Sequence, residues 1–341
     1  MKSYRKIIEE ERAKLEQNVS WWPLYFYHFT DVYNAVSIIK SEYIYSRHTA
    51  DKEKLMSSDN ASPNVINITD KKVTEYARLY MRPKTPTQYH NEGHKPEHIR
   101  NQDLNANCPI PIFFFLDAEK MLSMDGVKIV EKGLAGHSLD REFISGPEAY
   151  SSLNFDKIFH NGSHLPGSDI TQYKHTEVVR EGGIPIPDII RGIVCRSIAE
   201  KQTLLYLLKN SAPYNKYIKY KSIISFKPDT DVFFNNGIFI KKVKFEEDTF
   251  YIELNDSERR YNKDNANGKD VYVEVFVDWL GKNQEVLSRS IGHGEVGYGN
   301  TNIITFTPKS DAITNYVLIK VTFDGCLMYQ NIVNLDKFEI V

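Results

Sequence analysis

The sequence predicts an α+β domain over residues 1–210, followed by an all-β, sandwich-like module over residues 211–341. Three observations predict this. As far as about Lys209, stretches with helical spacing of apolar residues alternate with short aliphatic and aromatic runs. From Tyr217 onward the pattern changes to short alternating runs separated by turn residues. Between the two, Ser211-Ala212-Pro213 is a natural boundary, and 341 residues exceed one ordinary domain.

Composition narrows the function classes. A formal net charge of -2 gives no global polyelectrolyte signal, so any contact with nucleic acid must be local. The 3 cysteines, Cys108, Cys195 and Cys326, fit neither a disulfide framework nor a zinc site, which suits a reducing cytoplasm. No apolar run reaches the roughly 20 residues of a membrane span. The start, Met1-Lys2-Ser3-Tyr4-Arg5, leads into charged helix and not into an apolar signal core. The expectation is a soluble cytoplasmic protein with no membrane partner.

The elements follow in order. Residues 4–18 have helical spacing, with Tyr4, Ile7, Ile8 and Leu15 among Glu and Lys. Trp21-Trp22-Pro23 ends that helix, and Leu24-Tyr25-Phe26-Tyr27 reads as a strand that stops where His28 and Thr30 bracket Phe29. A helix from about Asp31 to Lys40 carries Val32, Ala35, Val36 and Ile39 on one face, with Thr30 or Asp31 able to cap it. Thr87 to Asn107 reads as a mobile, mildly basic loop. Its His90, His94 and His98 have spacing that could line up imidazoles, but Gly93 and Pro96 break the helix needed, so no metal is expected. Glu177 stands between a polar loop (His160 to Thr176) and a strand-like run from Val178, which puts its carboxylate at a strand edge facing a cleft. Ile198 to Lys209 reads as the helix closing the first domain.

In the second module, strands are expected at Ile218 to Phe226, Val232 to Phe234, Ile238 to Phe245, Thr249 to Leu254, Val271 to Trp279, Ile303 to Thr307, Val317 to Phe323 and Leu327 to Val333. Asn235-Asn236-Gly237 is a hairpin signal, and strands at this spacing suit a β-sandwich. Gly292, Gly294, Gly297 and Gly299 lack the following helix that a phosphate loop requires and read as a flexible connection.

Several segments, in order, carry a family resemblance over about residues 24 to 205. Tyr27-His28-Phe29-Thr30, followed by Asp31-Val32-Tyr33-Asn34, resembles the opening of the DarT family of ADP-ribosyltransferases. Ala77-Arg78-Leu79-Tyr80-Met81-Arg82-Pro83-Lys84-Thr85-Pro86 resembles the family's Tyr-Phe-x-Pro-Arg-Ser-Pro element, with Lys84 where Arg is usual. Gly136-His137-Ser138 resembles its Gly-His-Ala element. Leu153-Asn154-Phe155-Asp156 and then Thr176-Glu177-Val178-Val179 resemble the segment leading to the catalytic Glu. The resemblance implies an ADP-ribosyltransferase-like split mixed sheet with helices.

It also implies site residues. Breaking the nicotinamide-ribose bond of NAD passes through an oxocarbenium-like state, the electronic problem of glycoside cleavage. A fixed carboxylate beside the ribose can hold its 2'-hydroxyl and stabilise the developing charge, and Glu177 is the candidate. His28 would serve the adenosine ribose, with Phe29 backbone groups and the Thr30 hydroxyl completing that wall. Tyr80 or Tyr89 could stack on nicotinamide, and Lys84 would face phosphate. The family's additional Arg has no counterpart where alignment would place it, so Arg47 is the substitute, and His137 joins the catalytic set. In the loop before Glu177, His164, Gln172, Tyr173 and His175 suit base stacking and edge hydrogen bonds.

The expected function is therefore transfer of ADP-ribose from NAD to a nucleobase of single-stranded DNA or RNA, without a metal. The enzyme would be a toxin restrained by an antitoxin, serving in phage defence, with the β-module binding antitoxin, a chaperone or the target. The alternatives are a protein-directed transferase, and a non-catalytic binding module with a decayed NAD cleft.

Overall fold

A computed structural model describes residues 2–55, 71–101, 106–134, 142–163, 165, 167–226, 231–266 and 270–336. Among the described residues, nine strands belong to the first part: β1 (Tyr25–Asp31), β2 (Tyr43–Tyr45), β3 (Tyr76–Tyr80), β4 (Pro111–Asp117), β5 (Val127–Val130), β6 (Glu177–Glu181), β7 (Gly183–Pro185), β8 (Ile190–Cys195) and β9 (Ile224–Phe226). Seven pair in the order β5-β6-β3-β1-β4-β8-β9, and β2 pairs with β7. The run Pro111 to Leu116 is buried throughout, as a strand covered on both faces must be. Neighbours in the seven-stranded sheet are antiparallel except for β8 and β9, so the sheet is mixed.

The ladder around β1 is unequal. Against β4 it is paired from Tyr25 opposite Asp117 to Asp31 opposite Pro111. Against β3 it shares the single register pair Tyr27 and Tyr80, so the sheet opens between β1 and β3. Full pairing with β4 also carries β1 through to Asp31, past the stop expected where His28 and Thr30 bracket Phe29.

One face of the sheet packs Phe26, Leu79, Phe114, Val178 and Ile193 against the helix Val32–Ser41. That helix starts where the Asp31 carboxylate accepts the Tyr33 N–H at 2.9 Å, and it ends where Glu42 turns left-handed. The helix Tyr4–Lys14 joins the same core through Ile7 and Ile8, and stops where Leu15 becomes extended, short of residue 18. The opposite face packs Tyr27, Phe113, Phe115 and Val194 against Val232 and Phe233.

The second module is the expected sandwich. Its strands are β10 (Ile240–Glu246), β11 (Thr249–Leu254), β12 (Asp270–Leu280), β13 (Val286–Gly297), β14 (Ile303–Phe306), β15 (Tyr316–Phe323) and β16 (Cys326–Asn334). They form sheets β10-β11-β14 and β13-β12-β15-β16. Alternating residues such as Ile252, Val273, Val275, Ile319 and Val321 fill one core between them.

Four further readings differ from the sequence expectation. Where a strand was expected from Ile218, the helix Tyr214–Lys221 forms, burying Tyr217 and Tyr220 three apart on one side, and only Ile224–Phe226 is strand. Because β9 pairs with β8, the first sheet runs past position 210.

The segment Val232 to Gly237 is neither strand nor hairpin. It wraps the buried Glu92 carboxylate, which accepts the N–H groups of Phe234 at 3.0 Å, Asn235 at 2.6 Å and Asn236 at 3.3 Å. Asn235 and Gly237 do take the positive φ that such residues favour, but they spend it on this wrap.

The glycines at 292, 294 and 297 lie within β13, paired to β12 along its length. At Gly292 a Cβ would fall 2.4 Å from the Phe306 ring, so the ring packs directly on the bare backbone.

The fourth concerns residues 87–107, of which 102–105 lie outside the described residues. The stretch is a buried strap and not a basic solvent loop: Gln88, Glu92, His94 and Lys95 are buried. Lys95 Nζ donates to the carbonyls of His90 at 2.9 Å and Glu92 at 2.6 Å, and burial presses its pKa down to about 7. His94 Nε2 lies 2.9 Å from Asp324 of the second module. Arg196 completes the strap's setting, with its guanidinium paired to Glu200 and 3.8 Å from Glu92.

Candidate active site

Register places a row of side chains across the first sheet. Val130 of β5 stands opposite Glu177 of β6, Glu177 opposite Tyr80 of β3, Tyr80 opposite Tyr27 of β1, and Tyr27 opposite Phe115 of β4. Directly opposed residues share a face, so Glu177, Tyr80 and Tyr27 sit side by side on one side of the sheet. Arg78, two residues before Tyr80, projects to that same side. Its Nη1 lies 3.8 Å from Glu177 Oε1 and is buried with no hydrogen-bond partner among the described residues.

Glu177 is 3 % exposed. Its Oε2 accepts the N–H of Leu134 at 2.9 Å, from the turn that follows β5. The turn is pressed onto the segment leading to Glu177: the Lys132 N–H donates to Thr176 Oγ1 at 3.3 Å, and Gly133 has φ +71 with a hypothetical Cβ only 2.6 Å from the His175 carbonyl oxygen. No side chain fits at Gly133 without moving either the turn or the residue that leads into the carboxylate. The site thus holds a pre-oriented carboxylate with a partly open guanidinium beside it. Burial and the Glu177 charge together raise the pKa of the neighbouring Tyr80 phenol, keeping it protonated.

His28 lies where β1 and β3 part. Its Nδ1 is 3.4 Å from the Arg78 carbonyl oxygen, which can only accept, so Nδ1 carries the proton and Nε2 is left as an acceptor. Desolvation lowers the His28 pKa to about 4, and the nearby Arg78 charge acts in the same direction. Strand alternation gives His28 and Thr30 the face opposite Tyr27 and Phe29, and Phe114 flanks the imidazole at 6.3 Å. Arg78 therefore joins the two sides of the opening, through its guanidinium toward Glu177 and its carbonyl toward His28.

The remaining expected residues have the following settings. Phe29 packs edge-on to Phe113. Lys84 has left-handed backbone and pairs with Asp231. Arg47 opens the helix Arg47–Lys52 and lies 3.9 Å from Asp51, within its own helix. Among the described residues, the cation paired with Glu177 is Arg78, which lies in the Ala77–Pro86 motif without a role of its own there. Its signal was the alternation of Tyr76, Arg78 and Tyr80 along one side of a strand.

His137 and His164 lie outside the described residues. Tyr173 has the ammonium groups of Lys132 and Lys157 over its ring at 4.7 and 4.9 Å. Gln172 is exposed on the short helix Ile170–Tyr173, and His175 is half-buried against Gly133. Beside it, desolvation and the Arg82 charge lower the Lys174 pKa to about 8. Tyr89 lies on the helix Pro86–Asn91, beside Phe234 and Tyr261. Among the described residues, no cluster of three or more His, Cys, Asp or Glu could hold a metal ion, and no helix is long and apolar enough to cross a membrane.

Residues 27–233 match a family model described as ssDNA thymidine ADP-ribosyltransferase, DarT. Comparison with curated proteins gives no match. Among solved structures, Thermus sp. 2.9 DarT in complex with NAD+ is similar at 13% identity, covering 61% of this chain and 97% of that chain with a TM-score of 0.43. The same protein in complex with ADP-ribosylated ssDNA gives 14% identity, 61% and 96% coverage and a TM-score of 0.46. Thermosipho africanus DarTG in complex with ADP-ribose gives 16% identity, 66% and 54% coverage and a TM-score of 0.43.

Proposed function

The chain belongs to the DarT family of NAD-dependent ssDNA thymidine ADP-ribosyltransferases, and from that premise we propose that Glu177 is the carboxylate at which it breaks NAD, with a base of single-stranded DNA as acceptor. The observation that carries this is the setting of Glu177: a buried carboxylate fixed by the Leu134 N–H, with Arg78 beside it and Tyr80 next in the row.

In the reaction the bond between ribose C1' and the nicotinamide nitrogen breaks, and nicotinamide leaves with the electron pair. A nitrogen of the target base then bonds to C1' and releases its proton. Glu177 holds the ribose 2'-hydroxyl and stabilises the positive charge on the sugar, as a preorganised carboxylate in a largely dry site can. Tyr80 offers its ring to nicotinamide. Arg78, with an unfilled donor, takes the role for which Arg47 was the sequence candidate, assisting NAD and the incoming base. His28 stays neutral through the physiological range, so its Nε2 accepts from a ribose hydroxyl while the backbone of Phe29 and the hydroxyl of Thr30 line the same wall.

In this reading Gln172 and His175, in the segment ahead of Glu177, meet the acceptor base, with His137 and His164 as further candidates. The transferase unit extends through β9, and the second module begins near Ile238. We assign the chain a toxin's role in phage defence, restrained by an antitoxin. Incubation with radiolabelled NAD and separate single-stranded DNA, RNA and protein pools tests the reading. Label in nuclease-sensitive DNA supports it, whereas label confined to RNA or protein moves the acceptor to that class.

A further inference from the structure

Three aromatic rings from separate stretches meet at the junction of the two modules. Tyr89 packs edge-to-face with Phe234, centroids 5.2 Å apart, and with Tyr261 at 5.7 Å. Phe234 and Tyr261 both lie beyond the family match, which ends at residue 233. Tyr89 is 41% exposed, while Phe234 and Tyr261 are half-buried. The cluster carries cations: Lys84 Nζ stands 5.8 Å over the Phe234 ring and Lys95 Nζ 5.2 Å over Tyr261. His90, with its ring 6.4 Å from Tyr261, has a buried Nδ1 with no hydrogen-bond partner among the described residues.

The backbone beneath two of the rings is anchored. Glu92 fixes the backbone at Phe234 and Asn235, and Asn236 Nδ2 donates to the Tyr89 carbonyl at 2.8 Å. They are also linked to the site, because the hydroxyl of Tyr80, beside Glu177, is hydrogen-bonded to Thr87, two residues before Tyr89.

We propose that Tyr89, Phe234 and Tyr261 form a stacking platform for an unpaired base flanking the target on the same DNA strand, so that the second module completes the acceptor site. This rests on the DNA-modifying reading above. A chain with a net charge of -2 has little overall attraction for a polyanion. Ring stacking holds single strands without sequence preference, and its contribution is not lost to salt as phosphate contacts are. A backbone anchored in advance at Phe234 and Tyr89 lowers the ordering cost when the base arrives.

The test is binding of labelled oligothymidylates of about three and about ten nucleotides, lengths on either side of a typical single-strand site. Wild type is expected to bind the longer strand more tightly. Tyr89→Ala should weaken the longer strand roughly 5- to 100-fold, with the shorter one unchanged. Tyr89→Trp should restore binding of the longer strand. Unchanged binding of the longer strand by Tyr89→Ala, as expected if the rings serve a protein partner, overturns the platform and leaves the DNA-modifying reading standing. Tyr89-dependent binding without any modification of the strand keeps the platform and overturns that reading. A wild type that binds neither strand overturns both.

Discussion

Arg78 places a guanidinium nitrogen 3.8 Å from Glu177 Oε1, across the neighbouring strands β3 and β6. The pair is asymmetric: the Arg78 side chain is 35% exposed and that of Glu177 3%. The carboxylate is fixed by the fold, while the cation faces the opening with a donor to spare.

Replacing that cation should therefore affect chemistry more than folding. Arg78→Ala is expected to lower kcat for ADP-ribose transfer roughly 10²- to 10³-fold, the loss typical of one preorganised donor. Arg78→Lys should recover only part of it, because a point charge cannot replace the guanidinium fork. Initial rates of labelled transfer check this, with thermal melting to show that the fold is kept. Wild-type rates in Arg78→Ala would remove Arg78 from the site.

Gly133 gives a second test, through geometry alone. With φ +71 and the His175 carbonyl in the way, Gly133→Ala must displace the turn that supplies the Leu134 N–H to Glu177. The expected outcome is a stability loss of about 1–3 kcal/mol in urea denaturation. Transfer should fall together with it, even where the protein remains fully folded.

The third expectation concerns pH. His28 has a folded pKa of about 4, below that of a free imidazole, because burial disfavours its charged form. Protons therefore bind the unfolded chain first. This group's contribution to stability is intact above about pH 6.5 and is lost as pH falls toward about 4. Its imidazole resonances in NMR should stay at their neutral positions from pH 8 down to about 5.5, the range in which an exposed histidine titrates. A midpoint near 6.5 would show that the ring is solvated, and would end its assignment as a neutral acceptor.

The modules should unfold together. Glu92 anchors the 234–236 segment and lies beside Arg196, so Glu92→Ala leaves three backbone N–H groups and a buried guanidinium undercompensated. The expected cost is about 3–5 kcal/mol. In wild type, differential scanning calorimetry should give a single transition. Two well-separated transitions would show that the strap does not couple the modules.

Much of this was legible in the sequence, and the exceptions share a physical cause. The Asp31-capped helix, the sandwich strands and the position of Glu177 at a strand start follow from capping, alternation and composition, all of which act within a few residues. Local pattern fails where a distant partner decides. Asn235-Asn236-Gly237 has the local chemistry of a hairpin, but it wraps a carboxylate more than 140 positions away in sequence. Gly292 looks like a flexible link until Phe306 packs across it. Lys95 counts as surface charge until the strap buries it. The closeness of Arg78 to Glu177 is hidden for the same reason: it follows from the register of β3 against β6, which no stretch of sequence states by itself.

The most direct test is ADP-ribose transfer by Glu177→Gln to a single-stranded thymidine oligonucleotide. Glutamine keeps the shape and can still accept the Leu134 N–H, but it carries no charge to stabilise the sugar cation. Transfer is expected to drop at least roughly 10²-fold, with NAD still bound in calorimetry and the melting temperature close to wild type. Transfer at the wild-type rate would contradict the account.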